Sequence, residues 1–188
     1  MPFPGRREVL NEDAETIVLR GSMGKVERTW KHKSGTPQHL EFGCNNRTKW
    51  EGEYKPALLK AAPSINPAEA VTAQAKSRDQ DKFRVLRGIE AFEAMRQLAG
   101  DEIVLPAMLE EPEWVRDMSR TYTDLILHEH ELVLAAGAQA DALWVYGDVG
   151  YNHGPFFSPE LYRELILPDH QRLCDWAHAK GMKFIYHT

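Results

Sequence analysis

Residues 141–188 read DALWVYGDVGYNHGPFFSPELYRELILPDHQRLCDWAHAKGMKFIYHT, and this stretch decides the predicted fold. Apolar segments near its two ends, 142–147 and 182–187, have the length and composition of buried strands, and helical segments lie between them. Ser158 followed by Pro159 is typical of a helix start. Strand, loop, helix and strand make a βαβ unit, which predicts parallel strands with a ligand site at their carboxyl ends.

Polar side chains follow both predicted strands at the point where each one ends. Asp148 comes directly after the first strand, and His187 ends the second. Because parallel neighbours end at the same edge of a sheet, we expect the carboxylate and the imidazole to converge there as catalytic residues. Asp148 could exchange a proton or orient a substrate, or it could be a turn aspartate that bonds its own backbone. His187 could be a metal ligand, an acid–base group or a donor to an anion, or a hydrogen-bonded histidine at a barrel rim.

Four more residues are predicted to bind the substrate. Tyr151, Asn152 and His153 lie in the loop after the first strand and could line the same pocket, although polar loop residues are also common without a function. Arg87 lies near the end of another strand predicted over 82–88. A guanidinium at that position can hold a carboxylate through two hydrogen bonds, or it can form a structural salt bridge.

A His-Glu-His sequence at residues 128–130 has the look of a metal motif. It lies in a long predicted helix that begins at Pro112. Side chains two positions apart on a helix point away from each other, so both imidazoles cannot reach one ion. We therefore predict that His128 and His130 are exposed to solvent.

The N-terminal part of the chain has a different, β-rich pattern. Segments ETIVLR (15–20) and KVERTWKH (25–32) flank a glycine-containing turn and predict a hairpin, and QHLEF (38–42) predicts a third strand. We therefore predict two domains. Residues 1–43 form a small antiparallel β-meander, and residues 44–188 form an α/β domain.

Composition limits the classes of function. The chain has 188 residues, 43% hydrophobic and 27% charged, which is typical of a globular protein. A net charge of -5 argues against a general nucleic-acid binder, and no apolar run is long enough for a membrane span. Cys44 and Cys174 belong to no C-x-x-C motif. These features favour a reduced, cytoplasmic protein without nucleic-acid or membrane partners.

Residues 141–187 resemble the central region of uroporphyrinogen decarboxylase-like proteins. The shared pattern is an acidic residue after a strand, a Gly-Pro near a Ser-Pro-Glu-x-Tyr-Arg helix start, a proline, and then HAKGMKFIYH. Segments WKHKSGTPQHLEF (30–42) and EEPEWVRDM (110–118) resemble the divergent branch, which includes cobamide-dependent methyltransferases. The resemblance implies a (β/α)8 TIM barrel with its active site at the carboxyl ends of the strands. With three barrel-like strands, this chain would form a partial barrel.

Two chemistries are implied by that resemblance. Cobamide-dependent methyltransferases bind zinc through a histidine, a cysteine shortly after it and a later cysteine. His187 matches that histidine, and the matching cysteine would fall at 189, beyond Thr188. Uroporphyrinogen decarboxylases use arginines and an aspartate, without a cofactor, to remove acetate carboxyl groups from a tetrapyrrole. Their N-terminal arginine-rich motif is not found here.

The expected function is a segment of an enzyme that transfers a methyl group by a zinc-thiolate mechanism. Its substrate would be corrinoid- or thiol-linked, His187 would be the candidate zinc ligand, and a corrinoid protein would be a candidate partner. The alternatives are decarboxylation of a tetrapyrrole and a truncated, non-catalytic binding module. A partial barrel exposes sheet edges, so a second copy or a complementary segment is also a candidate partner.

Overall fold

The computed structural model describes residues 1–61 and 63–188, and its first sheet is an antiparallel meander. Its strands, in spatial order, are β1 (Glu8–Glu12), β2 (Thr16–Arg20), β3 (Val26–Trp30) and β4 (Gln38–Glu41). The antiparallel pairing of β2 with β3 confirms the predicted hairpin, and that of β3 with β4 confirms the third strand. Sequence reasoning missed β1, because all of its residues are exposed and no buried face marks it.

A second sheet is parallel and has three strands within the described residues. These are β5 (Val85–Ile89), β6 (Ala142–Tyr146) and β9 (Lys183–His187), in the order β5-β6-β9. The pairing of β6 with β9 confirms the predicted βαβ unit. Ile89, Tyr146 and His187 share one row, so the carboxyl ends of the strands are level. A short hairpin, β7 (Gly150–Tyr151) with β8 (Gly154–Pro155), follows β6.

Helices precede and connect the strands of the parallel sheet. In chain order they are α1 (Arg47–Lys49), α2 (Lys55–Lys60), α3 (Pro67–Asp79), α4 (Ala91–Ala99), α5 (Asp101–Glu110), α6 (Pro112–Ala135), α7 (Pro159–Leu161) and α8 (Leu167–Ala179), with π-helical segments Trp50–Tyr54 and Tyr162–Ile166. Ser158 accepts a hydrogen bond from the Leu161 amide at 3.3 Å, as its predicted role as a helix cap requires. Within the described residues, none of these helices combines the length and the apolar character that a bilayer crossing requires.

The expected (β/α)8 TIM barrel is wrong, because the described residues form no barrel. Across residues 1–61 and 63–188 the parallel sheet has three strands, and the remaining large sheet is the antiparallel meander. A βαβ pattern is local, and it is the same in barrels and in open sheets. The sequence therefore predicted the three parallel strands, but its local pattern could not decide between a barrel and an open sheet.

The chain divides into two compact units. One comprises Met1–Ala62 with Met95–Pro106, and the other comprises Pro63–Ala94 with Ala107–Thr188. In the second unit, a hydrophobic core lies between one face of the parallel sheet and helices α6 and α8. Its buried members are Leu86, Val133, Ala138, Leu143, Val145, Leu173, Ala177 and Met182. The site residues described below all belong to this second unit.

His130 contradicts its predicted exposure. Whereas His128 is exposed, His130 is buried in α6, and its ring centroid lies 6.1 Å from that of Trp176. Neither ring nitrogen of His130 has a hydrogen-bond partner among the described residues. Burial is the main cause that lowers the pKa of His130 to about 4, so the imidazole is neutral near neutral pH.

The two cysteines are expected to react at very different rates. Cys44 is fully buried in the first unit, and burial raises the pKa of its thiol to about 12. Cys174 is half-buried in α8. Because the thiolate is the reactive form, native protein should react rapidly with a disulfide reagent at Cys174 and not at Cys44. Thiol titration before and after unfolding measures this, and a fast native reaction that survives Cys174→Ser would contradict it.

Candidate functional site

The carboxyl ends of β6 and β9 bring the two predicted catalytic residues to one edge of the sheet. The Tyr146 hydroxyl donates a hydrogen bond of 2.9 Å to Oδ2 of Asp148. The ring of Tyr146 also neighbours the ring of His187, with 5.4 Å between their centroids. The carboxylate and the imidazole that were expected to converge therefore lie around one tyrosine.

Arg87 lies on the exposed face of the same sheet. Its register partner in β6 is Trp144, and Cζ of Arg87 lies 5.0 Å from the centroid of the Trp144 ring. The rings of Trp144 and Tyr146 are almost parallel, with an angle of 11° between their planes, and the Trp144 and His187 centroids are 5.6 Å apart. Within residues 1–61 and 63–188, Arg87 forms no ion pair. We call Arg87, Trp144, Tyr146 and His187 the open face.

The open face combines two basic groups with two aromatic surfaces. Side chains two positions apart share a face of a strand, which places Arg87 and Ile89 together on β5 and Trp144 and Tyr146 together on β6. Ile89, Arg87 and His187 are all exposed. Aromatic planes beside a guanidinium can hold a flat ligand that carries a negative group.

The three predicted loop residues lie on the hairpin after β6. Tyr151, Asn152 and His153 are exposed. The ring of Tyr151 contacts those of His153, at a centroid distance of 5.8 Å, and Phe156, at 5.4 Å. The ring contacts of Tyr151 and His153 are thus with side chains of the same loop. The role of Tyr151, Asn152 and His153 in substrate binding stays a prediction.

A cavity of about 240 Å³ lies beneath this loop, on the opposite side of β9 from His187. Residues that line it include Val149, Pro155, Phe157, Pro159, Tyr162 and Tyr186. The Tyr186 hydroxyl donates a hydrogen bond of 2.7 Å to the carbonyl of Gly147. Burial, assisted by the negative charge of Glu90, raises the pKa of Tyr186. We call this space the loop cavity.

Glu90 is an acidic residue that the sequence analysis did not single out. It directly follows β5, whereas Asp148 is the second residue after β6, and the side chain of Glu90 is fully buried. Its carboxylate caps α4 by accepting hydrogen bonds from the backbone amides of Phe92, at 2.6 Å, and Glu93, at 3.3 Å. Its position directly after a strand was the signal that could have identified it.

His170 connects Glu90 to the wall of the loop cavity. Nε2 of His170 lies 3.2 Å from Oε2 of Glu90, and Nδ1 lies 3.0 Å from the hydroxyl of Tyr162. His170 is buried in α8. Burial, followed by the charge of Glu90, raises the pKa of Tyr162. No local motif joins residues 90, 162 and 170, so this contact could not be read from the sequence.

The described residues do not form a zinc site by themselves. Within residues 1–61 and 63–188, no group of three or more histidine, cysteine, aspartate or glutamate side chains could hold a metal ion. The ring neighbours of His187, the candidate ligand, are Trp144 and Tyr146, which are not zinc ligands.

Comparison with known proteins gives this chain no family. None of the protein-family models matches it, and neither does any curated protein at a significant level.

Proposed function

We propose that the open face binds a flat small molecule with carboxylate groups, and that the chain is part of an enzyme that removes one of those groups. The observation that carries this proposal is the position of Arg87 over Trp144, beside the parallel ring of Tyr146. A guanidinium binds a carboxylate through two parallel hydrogen bonds, and an aromatic ring favours a stacked partner. A carboxylated pyrrole, the unit of the tetrapyrrole substrates that the resemblance implies, has both features.

Asp148 has a separate role in this proposal. Loss of carbon dioxide from a side chain of a pyrrole is easier when the ring is protonated, because the ring then accepts the electrons of the broken bond. A carboxylate close to the ring stabilises that positive charge. The hydrogen bond from Tyr146 fixes the orientation of Asp148, while Arg87 holds a carboxylate of the substrate.

Zinc-thiolate methyl transfer is the second candidate. Its support is the exposed position of His187 at the end of β9, where the resemblance places the first zinc ligand. The described residues do not supply the remaining zinc ligands. The metal content of the protein separates this candidate from decarboxylation, which needs no metal.

The test of the proposal is turnover of uroporphyrinogen by the full chain, with loss of carboxyl groups followed by mass spectrometry. We expect turnover by the wild type and a rate lower by about 10²-fold in Asp148→Asn, which keeps the shape and removes the charge. Asp175→Asn, a change of the same kind at an exposed carboxylate of α8, should leave the rate unchanged.

Zinc content is measured on the same samples. Absence of turnover, together with about one zinc per chain that His187→Ala removes, would contradict decarboxylation and favour methyl transfer. Tight substrate binding without turnover or zinc would instead favour the non-catalytic binding module.

A further inference from the structure

We propose that Glu90, His170 and Tyr162 form a proton relay that serves the loop cavity, as an acid–base site separate from the open face. The relay lies on the covered side of the sheet, with Glu90 and His170 buried and Tyr162 in the cavity wall. Its three side chains come from the end of β5, from α8 and from the π-helical segment Tyr162–Ile166. It does not depend on the proposed decarboxylation.

In this proposal the Glu90 carboxylate is ionised and the His170 ring is neutral, which sets the direction of the hydrogen bonds. An ionised carboxylate can only accept, so Nε2 of His170 donates to Glu90. A neutral imidazole that donates through one nitrogen accepts through the other. Nδ1 therefore accepts from the hydroxyl of Tyr162. This is the arrangement of a catalytic triad, in which a carboxylate orients a histidine that withdraws a proton from a hydroxyl.

The surroundings hold the relay in this orientation. The Phe92 and Glu93 amides fix the Glu90 carboxylate, and the absence of a side chain at Gly147 makes room for it. The raised pKa of Tyr162 keeps its hydroxyl protonated near neutral pH. Tyr162 can therefore give its own proton to His170 while it accepts one from the ligand, so that no tyrosinate accumulates.

The loop cavity sets the class of ligand. Aromatic rings and prolines form much of its wall, and Ser158, which also lines it, has a hydroxyl that accepts from the Leu161 amide and can still donate. The space suits a molecule of about one aromatic ring with a single weakly acidic O–H or N–H, such as a phenol, an enol or a pyrrole. As the X–H bond of the ligand breaks, its proton bonds to the Tyr162 oxygen. The original Tyr162 proton moves to Nδ1 of His170, and Glu90 stabilises the resulting imidazolium.

Binding of 4-nitrophenol tests the relay, because the absorbance of this probe reports its own protonation. We expect saturable binding by the wild-type chain, with the apparent pKa of the bound probe lowered enough to raise the ratio of phenolate to phenol by about tenfold. Tyr162→Phe removes one hydroxyl and should abolish this increase. Tyr122→Phe, the same change at a tyrosine of α6 that is not among the residues lining the cavity, should retain it.

A structural role alone would not change the protonation of the probe. Failure of the wild type to bind 4-nitrophenol would overturn the relay, and so would an increase in phenolate that persists in Tyr162→Phe. If Tyr162→Phe does not fold, nitrogen NMR of the wild-type chain tests the relay without it. Nitrogen NMR should show His170 protonated at Nε2 in the free chain and at both nitrogens with the probe bound, and an unchanged His170 spectrum would also overturn the proposal.

Discussion

Replacement of Gly147 by alanine is expected to lower the free energy of unfolding by about 3 kcal/mol. A Cβ atom at this position would lie within 2.5 Å of Cδ of Glu90, and closer still to its Cγ. The Glu90 side chain is fully buried and would have to move. Movement would break its hydrogen bonds to the Phe92 and Glu93 amides and leave a buried carboxylate poorly paired.

Urea denaturation of the wild type and the variant measures this loss. Gly52→Ala is the matched control, because a Cβ at Gly52 would meet nothing within 4 Å. Gly52 also lies in a helical segment, where alanine is at least as favourable as glycine. Equal stability of Gly147→Ala and Gly52→Ala would contradict the packing of Glu90 against Gly147.

Acid is expected to destabilise the fold through His130. The pKa of this imidazole falls from 6.5 to about 4 on folding, chiefly because of burial, and nearby Glu129 opposes the fall only in part. Well above pH 6.5 the imidazole is neutral in both the folded and the unfolded chain, so it adds nothing to the pH dependence of stability. Between pH 6.5 and about 4 the unfolded chain binds a proton that the folded chain rejects. Stability should therefore fall with the pH across that range, by about 3 kcal/mol at its lower end.

Other groups also titrate in this range, so the comparison is between variants. His130→Leu should remove the loss of stability that His130 causes at low pH. The stability of this variant relative to the wild type should therefore rise as the pH falls. His128→Leu changes the exposed histidine two residues earlier and should follow the wild-type curve. Denaturation at a series of pH values measures both, and parallel curves for wild type and His130→Leu would rule out the buried, neutral imidazole.

Local features of the fold could be predicted from the sequence. The hairpin of β2 and β3 and the parallel pair β6 and β9 follow from alternation, glycine-containing turns and helix caps, which act over a few residues. Closure of a sheet into a barrel depends on the whole chain, which is why the barrel was wrong. The burial of His130 was missed because a polar residue type predicts exposure on average, whereas packing decides the single case.

The candidate site was predictable only in part, for a related reason. Asp148, His187 and Arg87 lie at or near strand ends, and parallel register brings strand ends together. The contact of Glu90 with His170 joins positions 80 apart in the sequence, on a strand end and in the middle of a helix. Such a contact depends on how α8 packs on the sheet, and no spacing along the chain encodes it.

The most direct test of the open face is calorimetric titration of the full chain with uroporphyrin, an unreactive carboxylated tetrapyrrole. Arg87→Ala should weaken binding by about tenfold, because it removes a charge-assisted pair with a carboxylate. Arg78→Ala, at an exposed arginine of α3, should bind like the wild type. Equal affinity of Arg87→Ala and the wild type would contradict carboxylate recognition on the open face, and with it the proposed function.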